Sequence, residues 1–142
     1  KLAQLGWLDI SSSVVELEHR GETLQIAGDE TPWIGTAPDW PDQKSGFRLL
    51  VSHTPDHLFR AKTNRVDLML AGHTHGGQVV LPLLGPIFSP SRYGTRYCGG
   101  QFAIGPMLLN VSRGLSGNDL YRANCLPEVS LVELRSPQTQ RV

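Results

Sequence analysis

Apolar and polar positions near the start of the chain predict a short helical segment followed by a β-hairpin. Leu2, Leu5 and Leu8 recur at a helix-like interval, as at the end of a helix. Two β-type runs follow, at residues 14–18 and 23–27, and they flank the turn sequence "HRGE". Two such runs around a short turn indicate an antiparallel hairpin.

Residues 28–46 show no sustained periodicity and predict an irregular loop. The stretch "GDETPWIGTAPDWPDQKSG" combines Pro, Gly and Asp, which favour turns, with two tryptophans. Trp33 and Trp40 are interpreted as side chains that pack over the core, in preference to platforms for a ligand.

The middle of the chain predicts a βαβ unit. The runs "FRLLVSH" and "RVDLMLAGHTH" contain the short apolar stretches that are typical of strands in a buried parallel sheet. Between them, Thr54 is a suitable N-cap, Pro55 suits the first helical position, and Asp56 suits the positive end of the helix dipole. The helix is expected to end at Asn64.

The topology of this unit has a consequence for two histidines. A right-handed crossover brings the carboxyl ends of both parallel strands to the same edge of the sheet. His53 follows the first strand and His73 follows the second. We therefore expect the two imidazoles to converge.

The rest of the chain predicts a hairpin, a looping cover and two more strands. The stretch "GQVVLPLLGPIFSPSRYGTRYCGGQFAIG" supplies the hairpin and the cover, and "PMLLNVSRG" and "EVSLVELR" supply the strands. These patterns predict an α/β domain portion over residues 1–135 and a polar tail, "SPQTQRV", over residues 136–142. The chain starts without Met, and its first residues resemble the end of a helix. We therefore expect it to be part of a longer protein.

Composition narrows the class of protein. With 142 residues and 39% hydrophobic content, the chain can bury one core. Thirteen basic and thirteen acidic side chains give no net charge, so the electrostatic footprint of a nucleic-acid binder is absent. No apolar stretch approaches the roughly 18 residues that span a bilayer. Cys98 and Cys125 form no C-x-x-C pair, which argues against a zinc finger or a disulfide framework and favours the cytoplasm.

Three of the five histidines form a candidate metal site. His19 and His57 are interpreted as surface or hydrogen-bonded structural residues. His73 and His75 stand two residues apart between glycines, so an extended segment would project both rings to one face. In open α/β sheets, ligands bind beyond the carboxyl ends of the strands, which is also where His53 emerges.

The chemistry of this site is incomplete within the chain. Neutral imidazole suits zinc, manganese, iron or copper, whereas a hydrolytic two-metal site usually adds carboxylates that bridge ions about 3.5–4 Å apart. The nearest acids are Asp56 and Asp67. Asp56 is explained as a helix-start residue, and Asp67 lies at the opposite end of its strand. Three imidazoles can hold one ion weakly, but they cannot hold two ions firmly.

These motifs resemble a known family. "VSHTPD" and "AGHTHGGQ", each preceded by a strand, are similar to the C-terminal half of calcineurin-like metallophosphoesterases. The bacterial branch with "GHTHGGQ" is the most similar; it is often associated with membranes, and part of it is linked to UDP-diacylglucosamine pyrophosphate cleavage. "NVSRGLSG" and "NCLPEVSLVEL" support the resemblance, which runs from "LQIAG" to "VSLVELR". It implies the C-terminal part of a two-sheet αββα sandwich.

The resemblance also implies roles for individual residues. It gives His53 and His73 to one divalent metal ion and His75 to a second, with manganese, iron or zinc as the metals. It implies that two cations activate water for in-line attack on a phosphoester or pyrophosphate. Gly76 and Gly77 would leave room for the phosphate. Arg113 would contact it through several donors, although a structural pair with a nearby carboxylate or carbonyl is an equal alternative.

The family pattern is only half present. The earlier motifs D-x-H, G-D-x-x-D and G-N-H-D/E do not occur, since "GDETP" lacks the second aspartate and "GND" lacks the histidine. The chain is therefore interpreted as a fragment that carries half of a dinuclear site and is inactive alone. A non-catalytic interaction domain of the same ancestry and a mononuclear metal-binding module are the alternatives.

Two surfaces of the fragment raise the question of partners. Four apolar residues, Leu83, Leu84, Ile87 and Phe88, would suit an acyl chain or a peripheral membrane contact, but packing in the core or hairpin is favoured. Half of a sandwich should also leave an apolar sheet face or a free strand edge. We therefore expect the isolated fragment to form homo-oligomers.

Overall fold

The computed structural model describes residues 3–115 and 121–135 and confirms the α/β class. The predicted polar tail lies outside these residues. Within these described residues, eight strands, β1 to β8, and one α-helix, α1, alternate with 3₁₀ turns at Ala3–Leu5, Pro55–His57, His75–Gly77 and Gly94–Tyr97. In chain order they are β1 Val14–His19, β2 Glu22–Asp29, β3 Phe47–Ser52, α1 Leu58–Thr63, β4 Leu68–Ala71, β5 Val80–Leu81, β6 Gly85–Pro86, β7 Gly100–Ile104 and β8 Met107–Val111.

Six strands form one mixed sheet in the order β1-β2-β3-β4-β8-β7. The four inner strands β2, β3, β4 and β8 run parallel, and an antiparallel hairpin partner borders them at each edge. Strands β5 and β6 form a separate two-stranded hairpin. The two-sheet sandwich stays a prediction, because the described residues form only this one large sheet.

The predicted hairpin is confirmed, and its turn shows why it forms. Arg20 and Gly21 join β1 to β2 with φ values of 52° and 80°. Two consecutive left-handed residues give the turn whose twist matches that of antiparallel strands, and glycine adopts such a φ without strain. The loop after β2 is irregular as predicted, but it starts after Asp29 because Gly28 and Asp29 still pair with β3.

The βαβ unit is also confirmed. β3 and β4 pair in parallel, with Val51 opposite Leu70. The Thr54 hydroxyl accepts a hydrogen bond from the Asp56 backbone N–H at 3.3 Å, as an N-cap does. The helix begins with a 3₁₀ turn at Pro55, and Asn64 is its C-cap.

One face of the sheet packs against α1 and forms the core. A buried arginine, Arg48, lies at its edge, where its guanidinium donates to Gln25 Oε1 at 2.8 Å and to three backbone carbonyls. Trp40 is buried against the same guanidinium, 5.1 Å from ring centroid to Cζ, which agrees with the predicted packing role. The core residues include Ala27, Leu50, Leu58, Ala61, Met69, Leu109 and Val111.

The opposite face of the sheet is apolar and largely uncovered. Phe47, Leu49 and Val51 alternate on this face of β3, and Leu70 is the neighbour of Val51 on β4. Phe47 and Val51 are 38% and 39% exposed, and Leu108 on β8 is 57% exposed. An open face of this kind favours association.

Two predicted elements differ from the structure. The described residues 128–135 are irregular, so the strand predicted from "EVSLVELR" is wrong for this chain. A strand needs a partner for its backbone, and Val129 and Leu131 remain 77% and 98% exposed. Near the start, the described residues form only a 3₁₀ turn, and Leu5 and Leu8 are exposed, so the helical interpretation is wrong there.

The stretch between β4 and β8 also departs from its prediction. The hairpin exists as β5 and β6, but the predicted looping cover contains β7, which pairs with β8. The favoured packing of the apolar hairpin residues is wrong: Leu83, Leu84, Ile87 and Phe88 are 107%, 80%, 57% and 68% exposed. Their hairpin projects from the fold, so it cannot bury them in the core. Within the described residues, no helix is long and apolar enough to cross a membrane.

The uncovered sheet face generates a prediction for the isolated 142-residue chain. We expect it to associate at micromolar concentration, because pairing two open faces removes apolar surface from water. Leu108→Lys should shift the population towards monomer in size-exclusion chromatography with light scattering. Phe59→Lys, on the exposed side of α1, is the matched control and should change little. A monomeric wild-type chain that binds no apolar dye would contradict this prediction.

Candidate metal centre

His53 and His73 meet at the carboxyl edge of β3 and β4, as predicted. His53 Nε2 lies 3.2 Å from His73 Nδ1, and the two ring centroids are 4.9 Å apart. Backbone hydrogen bonds continue past the strand ends: His53 N–H donates to Asp29 O at 3.0 Å, and Gly72 N–H donates to His53 O at 3.3 Å. The convergence is therefore fixed by the sheet itself.

The segment that carries His73 and His75 is tightly turned. The φ values of His73 and His75 are 71° and 50°, and those of Gly76, Gly77 and Gln78 are also positive. The extended conformation that would place both imidazoles on one face is therefore absent. Non-glycine residues with positive φ are uncommon, and such strain is often found at functional sites.

His75 stands apart from the other two histidines. Its Nδ1 lies 3.9 Å from the position that a Cβ on Gly114 would take, so the ring faces the segment after β8. Within residues 3–115 and 121–135, no three His, Cys, Asp or Glu side chains are grouped closely enough to hold a metal ion. The structure thus brings His53 and His73 together and leaves His75 separate.

The geometry of the pair suits two ligands of one cation. In tetrahedral zinc sites, each imidazole nitrogen lies about 2.0–2.1 Å from the metal, which separates two such nitrogens by about 3.3–3.4 Å. The observed 3.2 Å between His53 Nε2 and His73 Nδ1 is the distance of a hydrogen bond between the two rings, and it is also close to this value. Neutral imidazole nitrogens are also suitable donors for manganese, iron and zinc.

The surroundings of His73 favour its neutral, metal-binding form. Burial lowers the pKa of His73, and the neighbouring His53 and His75 lower it further. A hydrogen bond with the Pro90 backbone acts in the opposite direction. Proline has no N–H, so its carbonyl is the acceptor. A carbonyl that binds one ring nitrogen of a histidine fixes the ring orientation, as it does around metal ligands.

Trp33 is the residue of this site that the sequence did not reveal. Its ring centroid lies 4.5 Å from that of His53 and 4.8 Å from that of His73, at interplanar angles of 56° and 52°. The side chain is 54% exposed. Trp33 therefore packs, as interpreted, but on the candidate ligands. It sits in an aperiodic loop, so only the fold could show this contact.

A buried polar network lies behind the pair. Asp29, fully buried at the end of β2, forms an ion pair with Arg60 and accepts from Thr31 Oγ1 at 2.7 Å. His57 Nδ1 lies 2.9 Å from Ser52 Oγ and 3.4 Å from Asp29 Oδ2. Burial lowers the pKa of His57, and Asp29 opposes this effect. The structural interpretation of His57 is confirmed, and His19 ends β1 as an exposed residue.

Asp56 and Asp67, the two acids considered as metal ligands in the sequence, both have structural roles. Asp56 accepts from Ser91 Oγ at 2.5 Å and from the Arg92 backbone at 3.1 Å. Asp67 lies at the far end of β4 and accepts from the Arg48 backbone at 2.8 Å. Another acid, Glu30, lines a cavity of about 170 Å³ together with His53.

The two glycines of the turn are needed for its packing. A Cβ on Gly76 would lie 2.6 Å from Cys125 Sγ, and one on Gly77 would lie 2.8 Å from Phe88 O. Both φ values are positive, at 69° and 79°. The chain itself therefore requires glycine at these positions, and a role in binding phosphate stays a prediction.

Arg113 pairs with a carboxylate, which the sequence analysis gave as the alternative to phosphate binding. Its Nε lies 3.7 Å from Glu128 Oε2, and the side chain is 42% exposed. A second arginine, Arg122, donates to the carbonyls of His75 at 3.3 Å and Arg113 at 2.8 Å. Arg122 thereby ties the segment after residue 120 to the histidine turn.

The chain is similar in sequence to two known proteins. Residues of the chain are 36% identical over 112 residues to "Phosphodiesterase YaeI" of Escherichia coli (strain K12), covering 78% of this chain and 41% of that protein. They are 35% identical over 122 residues to "Uncharacterized metallophosphoesterase YkuE" of Bacillus subtilis (strain 168), covering 82% and 42%. No family model and no solved structure matches the chain.

These relationships show the class of protein. As the resemblance implied, the chain corresponds to a fragment of a metallophosphoesterase. It spans about two fifths of the length of the curated relatives it matches.

The turn provides a prediction about stability. We expect Gly76→Ala to lower the free energy of unfolding by about 1 kcal/mol for the left-handed backbone and by a further 1–3 kcal/mol for the clash with Cys125. Gly105→Ala is the matched control, because its φ is 62° and nothing lies within 4 Å of an added Cβ. Urea melts of both variants measure the difference. Equal losses would show that the tight packing around Gly76 is relaxed in solution.

Proposed function

We propose that this chain forms part of the active site of a metal-dependent phosphoester hydrolase that uses two divalent cations. The observation that carries the proposal is the meeting of His53 Nε2 and His73 Nδ1 at 3.2 Å on the carboxyl edge of the sheet. The names of the two relatives, a phosphodiesterase and a metallophosphoesterase, support the same chemistry.

The proposed ligand assignment separates the three histidines. His53 and His73 share one ion, which their nitrogen separation supports, and His75 binds the other, which its different orientation supports. Manganese, iron or zinc suits these donors. When bound, the cations supply Lewis acidity that stabilises the charge developing on the phosphoryl oxygens. The histidines act by fixing the cations, not as proton acceptors.

Within the described residues, no third His, Cys, Asp or Glu is grouped with His53 and His73, so we propose that further ligands are supplied by other segments of the whole protein. Asp56 binds the Arg92 backbone, and Asp67 binds the Arg48 backbone and Lys44, so neither is proposed as the bridging carboxylate. We propose that D-x-H, G-D-x-x-D and G-N-H-D/E segments of the whole protein complete the site. They would belong to the second sheet, which would also cover the open apolar face.

Substrate binding is proposed for the turn and for Arg113. The Arg113 guanidinium is 42% exposed, and its nearest carboxylate oxygen is 3.7 Å away, so a phosphate can replace that partner. Gly76 lies against Arg113, because a Cβ at Gly76 would be 3.0 Å from Arg113 Cγ, and Gly77 follows it in the same turn. The substrate is a phosphoester or a pyrophosphate.

The experiment uses the longest natural form of the protein that contains these residues. With manganese, it should hydrolyse p-nitrophenyl phosphate or its bis ester. His73→Ala should lower kcat/KM at least about a hundredfold. Residues that only hydrogen-bond to a metal ligand typically change affinity or activity 10–100-fold, and the loss of a ligand itself should cost more. His19→Ala is the matched control. The isolated 142-residue chain should show no turnover above background.

Metal analysis separates the proposed sites. His53→Ala and His73→Ala should lose the same metal equivalent, and His75→Ala should lose the other. If His73 and His75 share an ion instead, the assignment is wrong. Full metal loading without turnover of any phosphoester would favour the non-catalytic interaction domain.

A peripheral membrane contact is the second proposal, and the exposed hairpin supports it. Leu83, Leu84, Ile87 and Phe88 project around the β5–β6 turn without a charged residue among them. Such a patch is suited to acyl chains or to the surface of a bilayer. The proposed compartment is the cytoplasm, at the membrane surface; the free thiols of Cys98 and Cys125 are compatible with a reducing compartment.

Vesicle binding tests the hairpin. The longest natural form should sediment with phosphatidylglycerol vesicles, and the double substitution Leu83→Ser and Leu84→Ser should weaken binding about tenfold or more, since each buried leucine contributes about 1.5–3 kcal/mol. Phe59→Ser, on the exposed side of α1, is the control. Equal binding by all forms would contradict a hairpin contact.

A further inference from the structure

Three aromatic rings form a cluster at the candidate metal centre. Trp33 contacts His53 and His73 at centroid distances of 4.5 and 4.8 Å, and the two histidines contact one another at 4.9 Å. Because all three rings are in mutual contact, each ring limits the rotation of the other two. Trp33 comes from the loop after β2, whereas His53 and His73 lie just after the ends of β3 and β4.

The loop delivers Trp33 to this position through buried contacts. Asp29 Oδ1 accepts from both the Thr31 backbone N–H at 3.1 Å and the Thr31 hydroxyl at 2.7 Å. Trp33 N–H donates to Glu30 O at 3.2 Å. Because Asp29 is fully buried and paired with Arg60, the start of the loop is anchored to the core. The buried contacts of Thr31 therefore fix the start of the loop whose Trp33 indole packs on His53 and His73.

We propose that Trp33 is a positioning residue that holds the His53 and His73 rings in the arrangement that binds a divalent cation. The inference rests on the metal binding proposed above. Trp33 contributes no ligand atom, since its indole nitrogen is a hydrogen-bond donor only. It acts on the metal through the orientation of the two imidazoles.

The physical reason is the cost of ordering two side chains. Each imidazole rotates about χ1 and χ2 when nothing packs against it, and a bidentate site must remove that freedom. His73 has the Pro90 carbonyl as a further restraint. His53 is exposed, and Trp33 is its principal ring contact outside the pair. The centroid distances lie within the 4.5–7 Å range in which aromatic rings attract one another.

A purely surface role would have other consequences. Trp33 is 54% exposed, so its removal should change the stability of the fold by only about 0.5 kcal/mol. A positioning role predicts a loss confined to one metal site, with little change in unfolding. Metal affinity and stability therefore separate the two roles without any measurement of catalysis.

The experiment compares Trp33→Leu, Trp33→Phe and Trp7→Leu in the longest natural form of the protein. Trp7 is an exposed indole outside the ring cluster and serves as the control. Cobalt(II) titration by calorimetry should show about tenfold weaker binding in Trp33→Leu, at the site that His73→Ala abolishes. Trp33→Phe should retain most of the affinity, and Trp7→Leu should retain all of it. Thermal unfolding of the apo forms should be nearly unchanged.

A second readout uses the metal-free protein. Nuclear Overhauser contacts between the Trp33 indole and the imidazole protons of His53 and His73 should be present in wild type. Their absence would overturn the inference, as would equal cobalt affinity with and without Trp33. If wild type binds no cobalt at the site of His73, the proposed metal assignment is wrong and the inference falls with it.

Discussion

The site depends on the parallel pairing of β3 and β4. Parallel neighbours end at the same edge of a sheet, so two histidines twenty residues apart in sequence approach within hydrogen-bond distance. The backbone ladder continues through His53 and Gly72, so the approach does not rely on the histidine side chains alone. A change in the register of this pair by one residue would turn the preceding strand residues to the wrong face and separate the rings.

The buried network at Asp29 connects that edge to the loop above it. Asp29 binds Arg60 of α1 and Thr31 of the loop, and His57 bridges the same region to Ser52 of β3. A buried carboxylate is costly unless it is paired and hydrogen-bonded, so these partners must all be in place. One charged group thus fixes the helix, the end of β3 and the loop with Trp33 relative to one another.

The uncovered sheet face and the proposed metal site have one common explanation. β3 carries Phe47 and Val51 on a face that no described layer covers, and within the described residues no third potential ligand is grouped with His53 and His73. The relatives extend well beyond the matched region, since it covers 41% and 42% of their lengths. A covering layer that also supplies ligands would account for both features.

The sequence by itself determined the local elements of this protein and the identity of the pair. Period-two runs predicted the first hairpin, apolar runs around an N-cap predicted the βαβ unit, and strand-end logic placed His53 beside His73. The sequence did not determine the strand at 128–135, because pairing requires a partner that local pattern cannot supply. It also missed the left-handed turn that separates His75 from the pair, and the contact of Trp33 with the histidines. These features were decided by tertiary structure, since they arise from packing between segments distant in the chain, where sequence periodicity carries no information.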